Sequence, residues 1–158
     1  MLAIVGWLLL VPSWYGALLL HHNPRMLLAL LAVVWVADSA AYFAGRRFGR
    51  HKLAPAISPG KTWEGVGGAF AGVLLYGLLL QRVVLPEEAV LQGGAFYVLL
   101  TAMTVLGIVG DLFESWMKRQ AGVKDSGTLL PGHGGVLDRI DALTAAIPFA
   151  ALWIFLSQ

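Results

Sequence analysis

Residues 93–110 read Gly-Gly-Ala-Phe-Tyr-Val-Leu-Leu-Thr-Ala-Met-Thr-Val-Leu-Gly-Ile-Val-Gly, without one charge, and the chain turns at once to Asp111-Leu-Phe-Glu-Ser-Trp-Met-Lys-Arg119. An uncharged run close to ~20 residues crosses the hydrocarbon core of a bilayer as a helix, because lipid offers no partner for free backbone N–H and C=O groups. Four further stretches share this character. Residues 2–20 and 142–158 carry no charge, 26–44 is broken only by Asp38, and 65–85 only late, by Gln81 and Arg82. The reading is an all-α fold, a polytopic transmembrane helical bundle of about five spans at 2–20, 26–44, 65–85, 93–112 and 142–158. They form a single integral-membrane domain over 1–158, with polar loops at 45–64 and 113–141.

Composition agrees. Of 158 residues 58% are hydrophobic and 13% charged, against about 25% charged in a soluble domain. The absence of cysteine excludes disulfides and thiolate metal sites. A formal charge of +2 without a long basic run points away from nucleic acid, leaving the lipid bilayer as the expected partner. The N-terminus has no basic region or cleavage site and reads as a first span rather than a secretory signal. Pro12 and Pro148 fall inside spans, where a kink is tolerated. The pairs Gly68/Gly72 and Gly107/Gly110 either permit close helix approach or are ordinary small residues facing lipid. No internal repeat is visible, so an inverted-repeat transporter gains no support.

The Lys and Arg residues set the orientation. Arg46, Arg47, Arg50, Lys52 and Lys61 lie between the second and third spans, Lys118, Arg119, Lys124 and Arg139 between the fourth and fifth, and only Arg25 and Arg82 remain for the other side. Loops two apart share a face, and the positive-inside rule puts both basic ones in the cytoplasm. The N-terminus is then cytoplasmic and the C-terminus periplasmic.

The fourth span should continue as a helix through Arg119. Asp111, Ser115 and Lys118 follow at i, i+4 and i+7 and share a face, with Glu114 flanking Asp111. Asp138 and Asp141, at i and i+3, open the fifth helix. Asp111, Asp138 and Asp141 form a candidate all-oxygen site for Mg²⁺, a hard cation that takes carboxylates, water and substrate phosphates. The helix dipole also favours carboxylates at a helix start, which is the plain structural alternative for Asp138 and Asp141. Glu114 reads better as a salt-bridge partner of Lys118 than as a ligand. Between the acidic groups lies Gly132-His133-Gly134-Gly135. Its glycines let backbone N–H groups converge on an anion. Lys118, Arg119, Lys124 and Arg139 around it complete a candidate polyphosphate clamp. His133 donates to a phosphate, shuttles a proton, or serves the loop's structure alone.

Ser58-Pro-Gly-Lys61-Thr62-Trp-Glu64-Gly invites comparison with a P-loop, but Pro55 stands where that motif needs glycine and no strand is expected before it. Thr62 or Ser58 is a candidate cap for the third helix, with Lys61 reaching an anion. Asp38 sits well inside a span, where an ionised carboxylate costs about 2.5–3.5 kcal/mol, so it should face a polar cavity or a cation. Arg46 and Arg47 read as surface partners at most.

Together, Ser115-x-x-Lys118-Arg119, Lys124-Asp125 and Pro131-Gly132-His133-Gly134-Gly135-x-x-Asp138-Arg139-x-x-Asp141 resemble the signature of phosphatidate cytidylyltransferases, the CDP-diacylglycerol synthases. Asp38-Ser-Ala-Ala-Tyr-Phe-Ala-Gly-Arg46 and Ser58 to Gly65 resemble two further blocks of the bacterial enzymes. The resemblance covers most of the chain. It implies that CTP and phosphatidic acid give CDP-diacylglycerol and pyrophosphate with Mg²⁺, in the bacterial inner membrane, in a homodimer. It also implies a catalytic role for Asp125 beside Lys124, metal on Asp111, Asp138 and Asp141, and phosphates on Lys118. Substrate-binding roles are expected for Asp38, Ser58, Lys61, Thr62, Glu64, Ser115, Gly132, Gly134 and Gly135. Replacing Asp138 or Asp141 by Ala should abolish turnover with little loss of folded protein. Family members carry several more spans ahead of the block at Asp38, where this chain has one. A truncated frame, a fragment and a reduced variant are the alternatives this leaves. A catalytically silent membrane partner, a cation or proton transporter and a CTP-using lipid kinase are the competing functions.

Overall fold

The computed structural model describes residues 2–84, 93–123, 126, 135 and 137–157. Helix α1 (Leu2–Leu20) is followed by α2 (Pro24–Phe48), an antiparallel hairpin of β1 (Lys52–Ala54) and β2 (Ser58–Thr62), and α3 (Trp63–Leu79). A π-helical turn over Leu80–Val84 ends α3; α4 (Gly94–Gln120) and α5 (Leu137–Leu156) complete the bundle. Pro24–Phe48, Trp63–Arg82 and Gly94–Gln120 are long and apolar enough to cross a membrane, and Gly6–Leu20 and Ile140–Leu156 are shorter apolar helices. The chain is a helical membrane protein.

Local chemistry fixes the helix ends. Asn23 caps α2 by accepting from the Met26 N–H at 3.2 Å, with Pro24 in the first turn, where its missing N–H costs nothing. At the other end α2 runs past the apolar stretch to Phe48, and Arg46 and Arg47 in its last turn complement the dipole. The Thr62 hydroxyl caps α3 by accepting from the Gly65 N–H at 3.1 Å. Likewise α4 continues through Arg119 to Gln120, carrying the charged face beyond the apolar span.

Small residues bring the helices together. A Cβ on Gly68 would meet the Ala44 Cβ at 2.3 Å and the Ala40 carbonyl at 2.9 Å, and one on Gly72 the Ala40 Cβ at 2.6 Å. On α4, a Cβ on Gly110 would lie 2.9 Å from the Ala145 Cβ and 3.1 Å from the Asp141 carbonyl, whereas Gly107 has ordinary clearance, 3.7 Å to Ala142. Leu30, Val33, Val73, Phe96, Leu99, Leu100 and Met103 form the buried centre of α2, α3 and α4; Trp7, Trp14, Leu75 and Phe155 face outward.

Pro148 explains how α1 docks on α5. Lacking an N–H, it leaves the Thr144 carbonyl without its helical donor. The Ser13 hydroxyl lies 2.8 Å from that carbonyl and 2.6 Å from its own helix's Leu9 carbonyl. One hydroxyl proton is shared between the two acceptors. Gly16 leaves room for the contact, a Cβ there lying 3.2 Å from Pro148 Cα.

The hairpin is an element the sequence reading treated as loop. Its strands have three and five residues, and one contains Pro59, so no alternating pattern announces them. Lys52 pairs with Thr62 and Ala54 with Ser58, and Pro55 leads a turn closed by the Ile57 N–H on the Ala54 carbonyl at 3.1 Å. Its base is tied to α3. The Trp63 N–H donates to the His51 carbonyl at 3.0 Å, and the Glu64 carboxylate accepts from the His51 N–H at 3.2 Å. His51 Nδ1 lies 2.7 Å from Glu64 Oε1.

Candidate active site

A cavity of about 460 Å³ opens where the hairpin meets α2, α3 and α4. Asp38 and Tyr42 reach it from α2, Ser58, Lys61 and Thr62 from the hairpin, and Asp111 from α4. Lys61 and Asp111 form an ion pair across it, the hairpin's cation on the helix's carboxylate. Ser115 Oγ is 3.4 Å from Asp111 Oδ1, one turn along α4. Asp38 is close enough to feel the charges of Asp111, Asp141 and Lys61, so an acid inside an apolar helix opens on this polar cavity. Asp38, Ser58, Lys61, Thr62 and Asp111 therefore meet around one space. Thr62 spends its hydroxyl on the helix cap. Glu64 does not line the cavity; its carboxylate closes the hairpin on His51.

A second cluster lies between α4 and α5. Lys118 Nζ is 2.7 Å from Asp138 Oδ1 and 3.5 Å from Glu114 Oε2, and both side chains of the shorter pair are largely buried. Asp138 also accepts from the Gly135 N–H at 2.7 Å and the Ser126 N–H at 3.0 Å. Burial by itself pushes the Asp138 carboxyl up, but the Lys118 ammonium and these two backbone donors outweigh it and hold the group well below the usual carboxylate range. Gly135 thus turns its N–H to Asp138. Arg119 leans the other way, Nε 3.4 Å from the Ile57 carbonyl of the hairpin turn. Lys124, Asp125, Gly132, His133 and Gly134, with the Arg139 side chain, lie outside the described residues.

Asp141 links the two clusters. Its carboxylate accepts from the Ala142 N–H at 2.7 Å and lies within electrostatic range of Asp111, Glu114 and Lys118. Close packing of Gly110 on Asp141 and Ala145 brings the two acids together. Among the described residues no group of three or more His, Cys, Asp or Glu side chains is gathered to hold a metal ion. Asp138 is turned to Lys118. The donors still suit Mg²⁺, which binds through one or two carboxylates plus water and substrate phosphates rather than a complete protein cage. Glu114, 4% exposed, adds a buried carboxyl group 3.5 Å from the Lys118 ammonium and beside Asp141. A buried cluster of acids fits a neighbourhood that accepts positive charge.

Two residues given lesser parts in the sequence belong to the site. Arg46, read as a surface partner at most, lines the cavity at its exposed rim. Glu114 pairs with Lys118 as its spacing suggested, and is buried as well.

A sequence profile described as "Cytidylyltransferase family" matches residues 1–157. A phosphatidate cytidylyltransferase of Pseudomonas aeruginosa is 49% identical over 154 residues, covering 94% of this chain and 55% of that protein. One from Haemophilus influenzae is 48% identical over 138 residues, 85% of this chain and 47% of its own length. One from Thermotoga maritima is 46% identical over 123 residues, 77% and 46% respectively. The chain thus spans about half the length of the curated relatives it matches. With a profile match along nearly all its residues and these identities, the chain belongs to the cytidylyltransferase family.

Proposed function

We propose that the chain carries the nucleotidyl-transfer site of a phosphatidate cytidylyltransferase, making CDP-diacylglycerol and pyrophosphate from CTP and phosphatidic acid. The observation that carries this is the Lys61–Asp111 pair set in a cavity beside Asp38, with Lys118–Asp138 on the adjoining helix faces. In the reaction an oxygen of the lipid phosphate attacks the α-phosphorus of CTP. The bond from the α-phosphorus to its bridging oxygen breaks, and pyrophosphate leaves with that oxygen and its electron pair. Phosphate is a competent nucleophile at neutral pH, so the protein's task is to orient two anions and offset their charge. Lys61 and Lys118 each exchange a carboxylate partner for phosphate oxygens as substrate enters. Arg119, Lys124 and Arg139 supply further positive charge, and Gly132, His133, Gly134 and Gly135 are the further candidate contacts for the polyphosphate. Asp111 and Asp141, with Asp138 once it gives up Lys118, would hold Mg²⁺. When bound, the ion neutralises triphosphate charge. Ser58 and the Asp38 side of the cavity form the polar end of a lateral entry for lipid. The setting we propose is the bacterial inner membrane, with the hairpin and the α4–α5 connection in the cytoplasm, in a homodimer.

The test is incubation of the purified chain with radiolabelled CTP and phosphatidic acid, with and without Mg²⁺. A labelled lipid and released pyrophosphate are expected only with Mg²⁺. Release of CDP would mark a kinase instead, and absence of product from folded protein would reject the reading for this chain.

A further inference from the structure

Among the described residues two cations line the cavity, and they differ in one respect. Lys61 is paired with Asp111. Arg46 has no carboxylate partner among the described residues. Its Nη1 donates to the Tyr42 hydroxyl at 3.0 Å, and its guanidinium carbon lies 6.0 Å from that ring's centre. Tyrosine thus holds the guanidinium against α2 without neutralising it. Asp38, two helical turns before Arg46 on α2, lines the same cavity. An anion entering there finds the Lys61 charge already matched by Asp111 and the Arg46 charge unmatched.

The rim also stands where a lipid headgroup would be. Phe43 and Phe48 at the end of α2 and Trp63 at the start of α3 are 69%, 65% and 60% exposed, at the same end of the bundle as Arg46. Exposed aromatic side chains at span ends mark the headgroup level of a bilayer. Leu53, Val66 and Ile108 give the cavity an apolar wall suited to glycerol and the first acyl carbons. Guanidinium is the side chain best matched to a phosphate monoester, through paired N–H donors.

We propose that Arg46 is the specificity-determining residue for the lipid: its guanidinium takes the phosphate monoester of phosphatidate at the cavity rim and so separates it from uncharged diacylglycerol. Tyr42 is the positioning residue that presents the guanidinium. This rests on the function proposed above. The triphosphate of CTP offers similar chemistry, so the two anions are measured separately.

The experiment measures binding of dihexanoyl phosphatidate, dihexanoylglycerol and Mg²⁺–CTP to the detergent-purified chain. It compares wild type with Arg46→Gln, Arg46→Lys, Tyr42→Phe and the neighbouring Arg47→Gln. Arg46→Gln should weaken phosphatidate binding by about tenfold or more, as for loss of a charge-assisted pair. Mg²⁺–CTP binding and thermal stability should stay within about twofold and ~2 °C of wild type, since the side chain is exposed. Arg46→Lys should recover only part of the affinity, Tyr42→Phe should lose a smaller share, and Arg47→Gln should match wild type. Unchanged phosphatidate binding in Arg46→Gln overturns the proposal, as does equal loss for CTP, equal loss in Arg47→Gln, or wild type that does not prefer phosphatidate. If wild type makes CDP-diacylglycerol while Arg46→Gln binds lipid normally, the inference fails and the proposed function stands. If phosphatidate binding depends on Arg46 but no product forms, the reverse holds.

Discussion

Lys118 and Asp138, twenty residues apart in sequence, meet at 2.7 Å and join the end of α4 to the start of α5. The contact gives the acid two roles. It is a candidate partner for magnesium or phosphate, and it gathers the Gly135 and Ser126 N–H groups against the helix start.

Replacing Asp138 by Ala should therefore do more than stop turnover. The sequence alone gives no reason to expect loss of folded protein, but the structure does. Removal leaves a largely buried ammonium with the 3.5 Å contact to Glu114 as its remaining close ion pair among the described residues, and frees two backbone donors. We expect turnover to fall at least ~10²-fold and stability by about 1–3 kcal/mol, the range for a charged group left short of its hydrogen bonds. Asp141→Ala, which strands no cation in a close pair, should lose activity with a smaller drop in melting temperature. Equal melting temperatures for wild type and Asp138→Ala would rule out the structural role.

The same carboxylate sets a pH dependence. Its folded-state pKa lies below the ordinary value of 3.8, so its stabilising contribution is full above that value and is lost as pH falls through the folded pKa. Glu114 beside Lys118 is pushed up to about 8 by burial and neighbouring acids, so the comparison is made in a Glu114→Gln background. There the melting-temperature gap between Asp138 and Asp138→Asn should be constant from pH 8 to about 5 and narrow only below about 4. A gap that closes between pH 7 and 5 would mean that Asp138 is not held ionised by Lys118.

The fold was legible where hydrophobicity alone decides it. Uncharged runs marked the helices, and the i, i+4, i+7 spacing of Asp111, Ser115 and Lys118 fixed one polar face of α4. What stayed hidden depends on partners distant in sequence. Nothing in Ser58 to Thr62 shows that His51 and Glu64 will fold it into a hairpin, and that fold is what carries Lys61 to Asp111. Nor does spacing reveal that Asp138 will face Lys118 rather than Asp111. Gly68 and Gly72 could be read as contact residues, but so could Gly107, and only the packing separates them.

That separation is testable. Gly68→Val should drive a side chain into Ala44 and the Ala40 carbonyl, prising α3 from α2 at the level of the cavity. We expect about 1–3 kcal/mol of destabilisation and loss of activity with it. Gly107→Ala, with ordinary clearance, should shift the detergent melting temperature little. A reversed order would place the close helix contact elsewhere.

The Glu64–His51 clasp should matter through Lys61 rather than through stability. Both groups lie at the solvent-facing base of the hairpin, where such pairs contribute little to stability. Yet β2 carries Lys61 into the cavity. Glu64→Ala should leave the melting temperature near wild type, speed amide exchange at His51, and lower kcat by about tenfold, since a reacting group displaced by ~1 Å loses up to 10² in rate. Faster exchange with full activity would show that the clasp does not position Lys61.

Orientation can be read chemically because the chain contains no cysteine. The hairpin end of the bundle holds the exposed Arg46, Arg47 and Arg50, and the α1–α2 turn lies at the other end of α2. The positive-inside rule predicts a cytoplasmic hairpin, the side the proposed reaction with CTP requires. His21→Cys, in the α1–α2 turn, should react with a membrane-impermeant maleimide added to intact spheroplasts. Arg50→Cys should react only after lysis. If Arg50→Cys is labelled first, the cavity opens to the periplasm and a CTP-dependent reaction there has no nucleotide supply.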